Sequence, residues 1–172
     1  MVASTPPCPR VARAGLLAAA LACASAAGCA SGPPLTALCG TWQAEGAVER
    51  WWPTRDGLAG EGRAVVDGVE VPVEALSLRR TRTKLGARAV YRAEPVGQAP
   101  AEFAPIDPSA ARFGPKALWT DGVRWSWADY THDFPQEIHY RITDDRLDAV
   151  VSGPDRESGW TFTRTAACAD TP

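Results

Sequence analysis

From Cys39 onward, apolar residues recur at every second position over short runs, and Gly, Pro or Asp interrupts the pattern repeatedly. A period of two sends successive side chains to opposite faces of a strand, so each run has one dry face and one wet face. The clearest sets are Val69, Val71, Val73; Ile138, Tyr140, Ile142; Leu147, Ala149, Val151; and Trp160, Phe162. Residues 40–45, 48–53, 58–66, 87–94, 101–106 and 123–129 fit the same scheme. No long helical periodicity competes with it. The connectors Asp56-Gly57, Asp67-Gly68, Asp121-Gly122 and Asp144-Asp145 supply residues that tight hairpins favour. About ten strands joined by sequential hairpins predict an all-β fold, a single antiparallel up-and-down barrel.

Two stretches depart from the pattern. Val69, Val71, Val73 and Ala75 share a face, whereas Leu76 and Leu78 fall on the other, so a β-bulge near Ala75 is expected to restore the phase. The Pro-rich stretch from Pro105 to Pro115 follows neither period and reads as a surface loop or a lid.

The N-terminus changes the picture of where the chain resides. Arg10 and Arg13 precede an uncharged run of Ala, Leu and small residues from Ala14 to Ala27, the pattern of a signal peptide over residues 1–28. The run is too short to cross a hydrocarbon core as a helix, which takes about 20 residues. Ala26-Ala27-Gly28-Cys29 suits lipoprotein processing with Cys29 as the lipid acceptor, while Ala24-Ser25-Ala26 suits ordinary cleavage to a soluble periplasmic or secreted protein. The first reading gives a tether over 29–37, one barrel domain over 38–168 and a tail over 169–172. The expected location is the cell envelope, anchored to a membrane by lipid alone and facing the periplasm.

Charge excludes one class of partner. The whole chain carries a net charge of −2, and the leader takes basic residues and no acid with it, so nothing attracts nucleic acid. Of five cysteines, Cys8 and Cys23 leave with the leader and Cys29 would take the lipid, which leaves Cys39 and Cys168. They flank the first and last expected strands, neighbours in a closed barrel, so a disulfide there would staple the seam; the alternative is two separate thiols. Two histidines and two bonded cysteines make a poor metal set, and no cofactor is implied. Nucleophile-elbow, phosphate-loop and dinucleotide motifs are missing from the sequence.

Seven tryptophans, Trp42, Trp51, Trp52, Trp119, Trp125, Trp127 and Trp160, are many for a small domain. Packed in a barrel they form a core and floor; grouped around a cavity they would line a site for a small apolar ligand. His132-Asp133-Phe134-Pro135-Gln136 precedes a strand, where loop residues held by a rigid scaffold often bind or react. His132 could carry a proton or bind a ligand near neutral pH, and Asp133 could orient it. Read structurally, the same segment is a turn in which Asp133 caps local amides and Phe134 packs inward. Glu49 shares a strand face with Trp51; if both point inward its carboxylate must be paired or protonated, with Arg141 or Arg50 as the expected partner. His139 lies on the polar face of its strand with Glu137 and Arg141, which predicts a surface position.

Gly40-Thr41-Trp42 on the first strand and Arg164 on the last resemble the residues that open and close calycin barrels, the group of lipocalins and fatty-acid-binding proteins. That resemblance implies that Trp42 closes one barrel end and Arg164 packs over its ring, a cation-π contact of about 1 kcal/mol. A second resemblance covers nearly the whole mature chain. Leu38 to Trp42, Glu49 with Trp51-Trp52-Pro53, Val96 to Pro100 before Phe103, and His132 to Gln136 followed by Ile138, Tyr140 and Arg141 are similar to a family of uncharacterised bacterial domains, often behind signal or lipoprotein leaders. The chain departs from that pattern between Asp107 and Asp121 and at Leu58-Ala59-Gly60, and no activity comes with the resemblance.

Three functions are therefore open: a binding module holding a small, largely apolar molecule; an acid-base enzyme using His132, Asp133 and Glu49; or a solid barrel whose surface meets another envelope protein.

Overall fold

The computed structural model describes residues 33–83, 86–115 and 121–168. The leader, Cys29 and the start of the tether to residue 32, Trp119 and the tail lie outside the described residues. Ten strands follow one another: β1 (Gly40–Ala44), β2 (Ala47–Thr54), β3 (Gly57–Val66), β4 (Val69–Thr83), β5 (Gly86–Pro95), β6 (Ala101–Ile106), β7 (Val123–Ala128), β8 (Glu137–Thr143), β9 (Arg146–Ser152) and β10 (Glu157–Ala166). Each pairs antiparallel with its sequence neighbours, and β1 pairs with β10 to close the ring. Closure leaves no sheet edge to template association, which a meander of this length would otherwise carry. Apart from short 3-10 turns at Leu35–Leu38 and Pro108–Ala110, the described residues form no helix.

Turn chemistry sets the register. Asp67 and Gly68 both have positive φ, 51° and 78°, the condition for a two-residue type I′ turn that matches strand twist. The phase break in β4 is present but sits earlier than expected. Gly62 pairs with Glu74 and Arg63 with Pro72, so Val73 is the extra residue of the bulge, two positions before Ala75. Beyond it, Val69 and Val71 stay in phase with the inner face, yet they are exposed because the β3–β4 hairpin reaches the open rim.

The barrel has two unlike ends. At one, the short turn Leu35–Leu38 crosses beneath the strands, and Trp42, fully buried, donates from Nε1 to Leu38 O at 2.7 Å. The Arg164 guanidinium lies 3.9 Å from the Trp42 ring centroid and donates to Cys39 O at 2.6 Å and Ala37 O at 3.0 Å. Arg164 thus seals the floor by stacking and by filling carbonyls that would otherwise be orphaned. Beside it, Cys39 and Cys168 form a disulfide with Cα atoms 5.0 Å apart, across 129 residues of sequence. By the chain-entropy argument such a closure is worth roughly 4 to 5 kcal/mol. Trp125 and Trp127 complete the plug, their indole N–H groups donating to Pro33 O at 3.3 Å and Ala89 O at 2.9 Å.

The Pro-rich segment is not a lid over the open end. It packs on the outer wall, where Arg112 N and Phe113 N donate to Glu137 at 2.5 and 2.9 Å. Glu137 also accepts from Tyr130 Oη at 2.8 Å and meets His139 Nε2 at 3.1 Å, while His139 Nδ1 lies 2.9 Å from Ser126 Oγ. This corrects the expectation that His139 is a surface residue: its strand face is the outer one, but the segment covers it to 3% exposure. Gly114, at φ 74°, is required there, since a Cβ would sit 2.7 Å from His139 Nε2. The sequence showed a polar outer face; it did not show that a non-periodic segment returns to bury it.

Candidate functional site

The hairpins joining β1–β2, β3–β4, β5–β6, β7–β8 and β9–β10 surround the opposite end, which opens into a cavity of about 480 Å³. Its existence follows from the residues that face inward. In the floor half many of those positions hold Trp or Leu; in the open half they include the small residues Ala47, Gly62, Ala64, Ala93, Ala101 and Ala149. A barrel of fixed circumference lined by such small residues cannot fill its own interior.

The base of the cavity is an aromatic plate. Tyr91 packs against Trp51, Phe103, Trp127 and Tyr140 at centroid distances of 6.3, 6.2, 5.1 and 6.0 Å, mostly edge to face. One polar chain runs through it. Tyr91 Oη lies 3.3 Å from Tyr140 Oη, Tyr140 Oη donates to Glu49 Oε1 at 2.8 Å, and Trp51 Nε1 donates to the same oxygen. Glu49 is therefore inward and 7% exposed, but neither expected arginine is its partner. Arg50 faces outward to Glu61 and Glu70, and Arg141 outward to Asp148 and Asp121, as alternation on β2 and β8 dictates.

Electrostatics follow from that arrangement. Burial pushes the Glu49 carboxyl up to about 7, opposed by the hydrogen bonds from Tyr140 and Trp51 and reinforced by the nearby Glu74 carboxylate. Glu74, on the cavity wall above Gly62, is raised by burial as well. Burial likewise holds the Tyr91 and Tyr140 phenols well above their usual range, so both remain neutral donors at physiological pH.

The His132 segment contributes to the rim in part. His132, Phe134 and Pro135 line the cavity, and His132 Nδ1 donates to Pro135 O at 2.9 Å. Phe134 is sandwiched from outside by Arg156, whose guanidinium lies 3.7 Å from the ring centroid. Gln136 braces the turn by donating to His132 O at 2.9 Å, and Asp133 is exposed. Neither Asp133 nor Gln136 lines the cavity, so the expected set of His132, Asp133 and Glu49 is not assembled; only His132 and Glu49 share the space. Trp125 and Trp127 belong to the floor, Trp52 points outward at 44% exposure, and Trp160 alone of the described tryptophans lines the cavity wall.

Sequence reasoning missed Glu74 and Tyr91. Tyr91 alternates with Ala89 and Ala93 on β5 and could have been found from that period. The inward turn of Glu74 depends on the bulge at Val73, whose position the pattern located only to within two residues. Among the described residues no group of three or more His, Cys, Asp or Glu could hold a metal ion. The chain matches no family model, no curated protein and no solved structure.

Proposed function

We propose that the protein is a binding module that holds a small, largely apolar molecule in the open half of the barrel, the molecule's polar end meeting Glu49 and Tyr140. The observation that carries this reading is the cavity itself, apolar-walled with a short polar chain at its base, the usual composition of a small-molecule site. A barrel whose role was only to present a surface would have no use for an unfilled interior, since voids cost stability. Exposed Val71, Val73, Val96 and Trp160 around the opening give an apolar ligand a compatible rim.

The cellular setting belongs to the same proposal: an exported envelope protein, lipid-anchored at Cys29, resembling the bacterial domains of the HDFPQ pattern. Pro33 and Leu38 are bonded under the floor, so the tether leaves from the closed end and an anchored barrel would turn its opening away from the membrane.

The neutral fluorophore N-phenyl-1-naphthylamine tests the site. A saturable, blue-shifted emission increase is expected, lost in an Ala93→Phe/Ala149→Phe variant that retains its folded circular-dichroism spectrum. No binding by the parent protein, together with no apolar molecule carried through purification by native mass spectrometry, would end the reading.

A further inference from the structure

Resting on the cavity reading, the geometry points to the chemical class of its occupant: we infer that the cavity selects an amphipathic amine, an apolar body ending in a protonated nitrogen held between Glu49 and Glu74. Two carboxyl groups face the space from β2 and β4, and among the described residues no lysine or arginine head group points into it. The elements around Glu49 present Trp51 from β2, Glu74 from β4, Tyr91 from β5 and Tyr140 from β8, all neutral or acidic. His132 stands at the rim. Arg63 contributes to the wall, but its guanidinium is held on the outer face by Glu61 and Glu70, at 3.0 Å each.

The carboxyl geometry is independent of that count. Glu49 is 93% removed from solvent by the 7% exposure above, and both of its donors reach Oε1, so Oε2 has no donor among the described residues. Glu74 has no hydrogen-bond or ion-pair partner among them, and it lies against Gly62, where a Cβ would come within 2.8 Å of its Oε1. An acyl carboxylate entering head-first would meet acceptors and like charge, whereas an ammonium donates three N–H bonds and supplies the missing charge. The surrounding aromatic faces of Tyr91, Phe103 and Tyr140 suit a cation's neighbours as well as an alkyl chain.

Displacement of N-phenyl-1-naphthylamine by octylamine, octan-1-ol and octanoate at pH 8 decides the matter. Octylamine is expected to compete at least about tenfold better than either analogue, the scale of one charge-assisted hydrogen bond. Glu49→Gln and Glu74→Gln should each erase most of that preference, read as the ratio of octylamine to octan-1-ol competition in the same variant. In the parent protein the preference should shrink at pH 6, as Glu49 takes up a proton; His132→Gln removes the rim histidine as a competing source of that change. Equal or better competition by octanoate, or an amine preference untouched by both Glu variants, overturns the inference and leaves the binding module standing. Failure of the fluorophore itself to bind removes the cavity reading instead.

Discussion

The two halves of the barrel are built by the same strands and behave as opposites. In the floor half large rings and leucines fill the interior, and the indole N–H groups have fixed protein partners: Trp42 with Leu38, Trp125 with Pro33, Trp127 with Ala89. In the open half the inward positions include Ala47, Gly62, Ala64, Ala93, Ala101 and Ala149, and Glu49 Oε2 and the Glu74 carboxyl have no hydrogen-bond partner among the described residues. The floor is where folding energy is concentrated; the open half gives up packing density to keep a space with chemical preferences. Burying a residue and leaving room for a guest are thus decided strand by strand, by side-chain size at a single face.

The contrast can be broken at its strong end first. Trp42→Ala should destabilise the protein by about 3 to 5 kcal/mol, read as a fall in the denaturant midpoint, because it opens a cavity in the plug and leaves Arg164 without its ring. A loss under about 1 kcal/mol would mean that the disulfide and strand pairing close the barrel unaided.

A middle-sized effect concerns the buried carboxyl. The folded-state value of Glu49, about 7, lies above the ordinary 4.5, so the native state binds the extra proton between those values. Stability from this group is therefore fully present below about 4.5 and declines as pH rises through 7. Relative to Glu49→Gln, the parent should lose on the order of 3 kcal/mol between pH 4.5 and 8, measured by urea unfolding at each pH. Parallel pH profiles for the two proteins would show that Glu49 is solvated or paired.

The smallest effect belongs to the rim. Trp160, 42% exposed, should cost less than about 1 kcal/mol when replaced by alanine, despite being the same residue type as Trp42. The substitution should instead weaken fluorophore binding. A stability loss approaching that of Trp42→Ala would erase the distinction between the halves.

The strands were legible because period-two alternation and Asp/Gly turns are local; all ten are present, as is the seam disulfide between Cys39 and Cys168. Which polar residues matter was less so. Glu49 could be placed on the face of Trp51, which is one of its partners, but the other, Tyr140, lies 91 residues away on β8, and no local pattern carries that contact. The outer-wall cluster of Ser126, Glu137 and His139 escaped for a related reason: alternation gives a side chain's face, and a segment without any period determines whether that face is wet.

Gly62 is where the absence of a side chain sets the course of a charged one. Because nothing projects from its α-carbon, the Glu74 chain can lie flat against the wall and bring its charge over the space instead of out past the rim. A single methyl group there, Gly62→Ala, would make the Glu74 side chain shift off the wall without touching any acidic residue, leaving the Glu49 carboxyl alone at its present place in the cavity.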